Sequence, residues 1–126
     1  MLRKILIVED EPAIRNILYA LLAGYGCEGL VAHDASEALR LTRQNLFDAV
    51  LLDLRCMNLV PDQVIPAITE IRPSLVGRVL VITGEVADPN TLAVLERYAL
   101  PSVPRSRVVA ELGNRLKNLL SLNAAA

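Results

Sequence analysis

The sequence predicts an α/β fold: a doubly wound sheet of five parallel strands in the order 2-1-3-4-5, with five helices on its two faces. Short apolar runs alternate five times with segments of helical periodicity, which is typical of this class. The chain has 126 residues, and 53% of them are hydrophobic against 21% charged. That length suits one domain, and the apolar share excludes disorder. Right-handed crossovers leave few other topologies.

The strands are predicted from short apolar runs, because strands of a parallel sheet are buried on both faces. Three runs are unbroken and end at a polar residue, over residues 5–8, 49–52 and 79–82. Residues 28–32 predict a weaker strand. Residues 100–103 predict a poor fifth strand at the sheet edge, because Pro101 cannot donate to a ladder.

Helices are predicted over about residues 13–23, 34–44, 63–72, 90–98 and 108–120. The first helix follows Pro12, a favoured first-turn residue, and has Asp10 or Glu11 as its N-cap. Five apolar residues in it recur at helical spacing and are predicted to face inward: Ile14, Ile17, Leu18, Leu21 and Leu22. Residues 1–121 thus form the predicted domain, and residues 122–126 are interpreted as a tail that is frayed or introduced by cloning.

Composition excludes several function classes. Aromatic residues make up 3% of the chain, and 13 basic side chains face 14 acidic ones, so neither a base-stacking platform nor a polyanion-binding field is expected. No apolar run reaches the roughly 18–20 residues that span a bilayer. Cys27 and Cys56 lack disulfide or metal-site spacing and are interpreted as small core or loop residues. We therefore expect a cytoplasmic protein, without a membrane or nucleic-acid partner for this segment.

Four polar residues stand where predicted central strands end: Glu9, Asp10, Asp53 and Thr83. In a sheet of this order, ligands bind beyond the carboxyl ends of the strands. Three carboxylates converging there repel one another unless a cation is present. Hard oxygen ligands, completed by water, suit Mg²⁺. A carboxylate beside a bound metal can attack phosphorus, and a threonine hydroxyl can bind a phosphoryl oxygen.

The chain resembles the receiver domain of two-component response regulators, the CheY-like superfamily, over nearly its whole length. The resemblance is carried by KILIVEDEP at 4–12, AVLLDL at 49–54, VLVITG at 79–84 and the register of the final loop and helix. It implies that Asp53 is the phosphoacceptor and Thr83 the switch hydroxyl. It also implies that Asp10, Asp53 and the backbone carbonyl of Arg55 bind Mg²⁺ directly, with Glu9 acting through water.

The sequence departs from the family where receivers carry a Lys-Pro pair. Arg105 lies 22 residues after Thr83, a common family spacing, and so takes the place of the lysine. Matching Pro104 to the family proline instead puts Val103 at the lysine position and needs a gap, so the ungapped reading is preferred. Arginine keeps the positive charge but is a planar fork, so the exchange is not conservative.

Two further departures follow from this register. Ser106 stands where the family has proline, so a trans peptide is predicted after Arg105, since a cis bond there costs about 2.5–4 kcal/mol. The family's switch aromatic falls on Ser102, so the aromatic is absent unless Tyr98 substitutes for it from another direction. The usual Met-Pro after the acceptor becomes Cys56-Met57, which predicts a remodelled loop.

We therefore interpret the chain as a phosphorylatable receiver, and not as an enzyme. Its implied partners are a histidine kinase or phosphotransfer protein and a downstream effector; a homodimer through the fourth and fifth helices stays open. One alternative is an interaction module of the same fold that signals without phosphorylation. Another is an aspartyl phosphatase, although such enzymes carry a second aspartate where this chain has Arg55. A flavodoxin-like cofactor binder is a third alternative, opposed by the charge of Glu9 and Asp10.

Overall fold

The computed structural model describes residues 2–56, 58–85 and 88–121. Within them lie the strands β1 Arg3–Val8, β2 Cys27–Ala32, β3 Ala49–Asp53, β4 Val79–Thr83 and β5 Ser102–Pro104. The helices are α1 Pro12–Gly24, α2 Ala35–Gln44, α3 Pro61–Ile71, α4 Pro89–Arg97 and α5 Val108–Ser121. Short 3-10 turns cover Pro73–Leu75 and Arg105–Arg107. The predicted tail, residues 122–126, lies outside the described residues, as does Met57.

The strands form one parallel sheet in the order β2-β1-β3-β4-β5, so the predicted fold class and topology are confirmed. The order in which strands are added to the sheet reverses between β1 and β3, which are hydrogen-bonded neighbours. The carboxyl ends of these two strands and of β4 share one edge of the sheet, because all of them are parallel. That edge is where the sequence places its polar residues.

Alternation along the strands divides the core into two layers. In β1, Ile5 and Ile7 pack on the face covered by α1 and α5, while Leu6 and Val8 pack on the face covered by α2, α3 and α4. Both layers are aliphatic, as the low aromatic content predicts, and Phe47 is the one phenylalanine in them. Close packing on both faces makes the sheet a rigid base for its carboxyl edge.

Several predicted boundaries need correction. β5 begins at Ser102, two residues later than predicted. Pro101 has no N–H to donate to β4; its carbonyl only accepts a hydrogen bond from the N–H of Val81. The third helix begins at Pro61, since proline is favoured in a first turn. Ile17 is half exposed, so it does not face the core as predicted. Glu11 is the N-cap of α1 but makes no side-chain capping bond.

Candidate functional site

Three predicted site residues are buried where the central strands end. Glu9 directly follows β1, and Asp53 is the last residue of β3; each is only 1% exposed. Thr83 ends β4, one position beyond Ile82, the residue that pairs with Asp53. Because the strands are parallel, these side chains meet at one edge of the sheet. Two of them are carboxylates, so the edge is strongly acidic unless cations lie beside it.

A cation from the last connection does lie there. The Arg105 guanidinium donates through Nη2 to Asp53 Oδ2, while the backbone N–H of Arg55 donates to Asp53 Oδ1 at 2.8 Å. The other terminal nitrogen of Arg105, Nη1, donates to Glu11 Oε2 at 3.0 Å. Both oxygens of the buried Asp53 carboxylate therefore have donors, and the structure brings Arg105 to the position that the ungapped register predicts.

Ionisation of the Glu9 carboxyl group is unfavourable at this edge. Burial, and next the neighbouring Asp53 carboxyl group, raise the pKa of Glu9 to about 8. The backbone N–H of Glu11 donates to Glu9 Oε1 at 3.0 Å, and Arg105 also opposes the rise. Glu9 Oε2 is buried without a hydrogen-bond donor in the described part of the chain.

The surroundings of Cys56 locate Asp10 at the same edge. Burial raises the pKa of the Cys56 thiol to about 11, and the carboxylates of Asp10, Glu9 and Asp53 add to the rise. Cys56 is buried and, like Cys27, a free thiol, which agrees with a core role for both residues. The three site carboxylates thus all lie close enough to Cys56 to influence its thiol.

The predicted magnesium set has only two carboxylates that bind directly, Asp10 and Asp53, and it stays a prediction. Over residues 2–56, 58–85 and 88–121, no three side chains of His, Cys, Asp or Glu are grouped so that they hold a metal ion by themselves. A metal at this edge needs the remaining ligands from main-chain carbonyls and water.

Thr83 opens onto a cleft beside the loop that follows Asp53. The cleft has a volume of about 320 Å³ and lies between the loops that follow β3 and β4; its lining includes Leu54, Arg55, Thr83, Gly84, Glu85, Asp88 and Thr91. A β-carbon placed on Gly84 would lie 3.8 Å from Nη1 of Arg55, so the Arg55 side chain lies beside Gly84, another residue of the lining. Its backbone, not its side chain, is the part that the resemblance assigns to metal binding.

The departures from the family have their own contacts. The peptide between Arg105 and Ser106 is trans, as predicted. Ser106 donates to Glu85 twice, from its backbone N–H to Oε1 at 3.0 Å and from its hydroxyl to Oε2 at 2.8 Å. Ser102 lies in β5 opposite Val81 and brings no aromatic ring to the site.

Tyr98 does not take the place of the missing switch aromatic. Its hydroxyl donates to Asp62 Oδ1 at 2.6 Å, and Arg97 donates to the same oxygen. The side chain of Tyr98 therefore connects the end of α4 to the start of α3, away from Thr83. In the structure, the Tyr98 ring therefore does not replace the switch aromatic from another direction.

Two residues that contact the site, Glu11 and Glu85, are missing from the sequence-based set. The sequence predicts only a capping role for Glu11, at the start of α1, and it predicts no role for Glu85. The signal that could have found them is their position: each lies within two residues of a strand-end site residue, Glu9 or Thr83. The roles of the other predicted residues stay predictions.

Comparison with known proteins identifies the family. The family model described as response regulator receiver domain matches residues 5–112. The chain is 30% identical over 111 residues to a response regulator receiver protein of Anaeromyxobacter sp. (strain Fw109-5), covering 88% of this chain and 46% of that protein. It is 31% identical over 96 residues to the transcriptional regulatory protein ZraR of Klebsiella oxytoca, covering 76% of this chain and 21% of that protein. The chain belongs to the response regulator receiver family of two-component systems.

A solved structure agrees at the level of the fold. The receiver domain of a sensor histidine kinase from Pseudomonas aeruginosa superposes with a TM-score of 0.83 at 20% identity, covering 96% of this chain and 99% of that one. That structure has a magnesium ion coordinated in its active-site cleft. The chain spans less than half the length of the two curated relatives described above. No helix in the described part of the chain is long and apolar enough to cross a membrane.

Proposed function

We propose that this receiver accepts a phosphoryl group on Asp53 from a phosphohistidine of a histidine kinase or phosphotransfer protein. The observation that carries the proposal is the Asp53 carboxylate itself, 1% exposed at the end of β3 and paired with the Arg105 guanidinium. A buried carboxylate is costly unless a cation accompanies it. Arg105 is that cation beside Asp53, the proposed nucleophile.

The residues at this edge fit Mg²⁺. Glu9 Oε2 is buried and lacks a hydrogen-bond donor within the described residues. The atoms proposed as metal ligands are all oxygens. Two aspartates, a main-chain carbonyl and waters make the small hard-ligand set that Mg²⁺ prefers. Asp10, Asp53 and the carbonyl of Arg55 would hold the ion, and Glu9 would act through water. When bound, the ion supplies positive charge that offsets the charge of the phosphoryl oxygens.

The transfer requires little covalent work from the protein. A carboxylate oxygen of Asp53 forms a bond to phosphorus while the phosphorus–nitrogen bond of the donor breaks. The electron pair leaves with the imidazole nitrogen, which takes up a proton from water. Arg105 stabilises negative charge on the phosphoryl oxygens, and Thr83 donates its hydroxyl to one of them. Positioning and charge neutralisation therefore account for catalysis in such a transfer.

The protein is proposed to act as a signalling acceptor that assists its own phosphorylation and dephosphorylation, and not as an enzyme with turnover of an external substrate. Arg55 stands two residues after Asp53, where an aspartyl phosphatase carries its second aspartate, and its exposed guanidinium cannot serve as a general acid–base at neutral pH. Phosphorylation would change the surface read by a downstream effector.

A second candidate function is an interaction module that signals without phosphorylation. The observation that favours it is the environment of Asp53, whose two oxygens already have donors from Arg105 and Arg55. The lack of an aromatic side chain at Ser102 also removes the usual reporter of phosphorylation. The buried Glu9 and Thr83 favour the first proposal, since a module without phosphoryl chemistry has no need of them.

Labelling with a small phosphodonor separates the two functions. Wild-type protein treated with acetyl phosphate and Mg²⁺ should gain one phosphoryl group by intact-mass spectrometry, and omission of Mg²⁺ should suppress the gain. Asp53→Asn should abolish it. Glu70→Gln, an exposed carboxylate on α3, is the matched control and should label like wild type. Absence of labelling in wild type, together with no binding of beryllofluoride, would contradict the proposal and favour the interaction module.

A further inference from the structure

Two glutamates outside the family's site contact the two residues that replace the family's Lys-Pro pair. Glu11, at the start of α1, accepts from Arg105 Nη1 at 3.0 Å. Glu85, after β4, accepts two hydrogen bonds from Ser106. The segment after β5 is therefore held by two carboxylates, one from the connection after β1 and one from the connection after β4.

The Glu11 contact depends on the shape of arginine. The same guanidinium donates through Nη1 to Glu11 and through Nη2 to Asp53. Two donors held in one plane can bridge two carboxylates in a set orientation, whereas a lysine ammonium is a single point charge on a flexible stem. The side chain of Arg105 is 19% exposed and that of Glu11 is 49% exposed, so Glu11 is hydrated and Asp53 is not. Glu11 thus orients the guanidinium without competing for the buried position.

Arg105 has few other restraints. Its Nε is buried without a hydrogen-bond partner among the residues that the structure describes. The orientation of the guanidinium therefore depends on the contacts of its two terminal nitrogens with Glu11 and Asp53. If Glu11 is removed, Asp53 is the one side chain of the described residues that still bonds to the guanidinium.

The Glu85 contact depends on the absence of proline. A proline has no backbone N–H to donate, whereas Ser106 donates both its N–H and its hydroxyl to the two oxygens of Glu85. Glu85 lies two residues after Thr83. This pairing fixes the residue next to Arg105 to the loop that carries the switch hydroxyl.

We propose that Glu11 and Glu85 are positioning residues that hold the Arg105–Ser106 segment so that the guanidinium lies on Asp53. They restrain the two residues that stand, in this chain, at the positions of the family's Lys-Pro pair. The inference rests on the proposed phosphoacceptor function of Asp53. It implies that restoring the family's lysine at position 105 impairs the site, because a lysine cannot bridge Asp53 and Glu11 in the same way.

The first test examines the free protein and needs no phosphorylation. In the ¹H–¹⁵N spectrum of arginine Nε–H groups, the buried Arg105 signal is assigned by its loss in Arg105→Lys. Glu11→Ala should shift that signal and speed its exchange with water, while Glu70→Ala should leave it unchanged. Glu11 makes no side-chain capping bond to α1, so its removal deletes no cap. An unchanged Arg105 signal in Glu11→Ala would overturn the positioning role.

The second test measures the rate of labelling by acetyl phosphate with Mg²⁺. Glu11→Ala should lower the rate about two- to fivefold, the range expected for a partly exposed ion pair. Arg105→Lys should also lower it, and Glu11→Ala added to Arg105→Lys should change it by less than about twofold, because the two residues act as one unit. Glu85→Ala should lower the rate when Arg105 is present and not in the Arg105→Lys background.

The outcomes keep the two proposals apart. If wild type is not labelled, the phosphoacceptor function fails, and the Nε–H signal still decides whether Glu11 orients Arg105. If wild type is labelled but Arg105→Lys is labelled as fast or faster, the positioning proposal fails while the acceptor function stands. Equal losses from Glu11→Ala in the wild-type and Arg105→Lys backgrounds would likewise overturn it, since the effect would then not pass through the guanidinium.

Discussion

At the scale of single residues, Glu9 and Asp53 are two buried carboxyl groups that share one cation. Arg105 pairs with Asp53, which leaves Glu9 as the group whose ionisation is disfavoured. Desolvation is the main cause, and the charge of Asp53 adds to it. Burial therefore favours the protonated form of Glu9 in the metal-free protein.

This difference predicts how the metal-free protein responds to pH. The pKa of Glu9 is about 8 when folded, against an ordinary value of 4.5. Between these values the folded chain binds more protons than the unfolded chain, so stability falls as pH rises through this window. Glu9→Gln removes the titration and should stabilise the protein at pH 8 by about 1–3 kcal/mol, with the difference shrinking towards pH 5. Urea unfolding in EDTA at both pH values measures it.

Added Mg²⁺ provides the control for this prediction. A cation at the site favours ionised Glu9, so it should stabilise wild type at pH 8 and reduce the advantage of Glu9→Gln. Glu70→Gln should follow wild type at every pH. An advantage of Glu9→Gln that is equal at pH 5 and pH 8 would contradict the raised pKa and point to packing instead.

At the scale of elements, α5 and α1 meet through a glycine and a tyrosine. A β-carbon on Gly113, within α5, would lie 2.5 Å from the hydroxyl oxygen of Tyr25 and 2.6 Å from the ring carbon Cζ. Tyr25 follows the end of α1 and is half exposed. The glycine therefore lets the tyrosine ring lie on the helix, although glycine costs stability inside a helix.

A pair of variants tests this contact. Gly113→Ala alone should change stability little, because the helix gains about 1 kcal/mol of propensity and loses the tyrosine contact. In a Tyr25→Ala background the same substitution should stabilise the protein by about 0.5–1 kcal/mol, since no ring is displaced. Thermal unfolding of the four proteins gives the coupling. Equal effects of Gly113→Ala in both backgrounds would show that the ring does not constrain this position.

At the scale of the whole molecule, the predicted fold came from local patterns that the sheet confirms. The apolar runs that end at Glu9, Asp53 and Thr83 are strands, because a continuous apolar segment is stable only when both faces are covered. The family resemblance implies that Arg105, 22 residues after Thr83, takes the place of the lysine, and the structure brings its side chain to Asp53. The fifth strand was misplaced by two residues because proline weakens the pattern that identifies a strand.

The contacts that sequence reasoning missed join surface side chains that are far apart in the chain. Glu11 and Arg105 are separated by 94 positions, and Asp62 and Tyr98 by 36. Exposed polar residues have no periodicity that indicates a partner, since solvent satisfies them equally well in isolation. Only the packed sheet and helices determine which of them meet.

The contacts of Tyr98 and Ser106 are expected to determine how far a signal spreads from Asp53. Tyr98 is bonded to Asp62; this hydrogen bond raises the pKa of the Tyr98 phenol and lowers that of Asp62. This hydrogen bond therefore joins the end of α4 to α3. Ser102 has no aromatic ring whose rotation could report phosphorylation. The Ser106–Glu85 contact instead connects the loop after β4 to the 3-10 turn that precedes α5.

Beryllofluoride with Mg²⁺, a stable mimic of the phosphoryl group, should therefore shift backbone NMR signals mainly near Glu85 and Ser106, with small changes at Ser102 and Tyr98. Tyr98→Phe removes the bond to Asp62, so the shifts should then extend to the end of α4. Asp53→Asn, as control, should show none of these shifts. Wild-type changes centred on Ser102 and Tyr98 would contradict this route. Changes that run from Glu85 into α5 would instead show that a serine–glutamate contact carries the signal where the family's aromatic is absent.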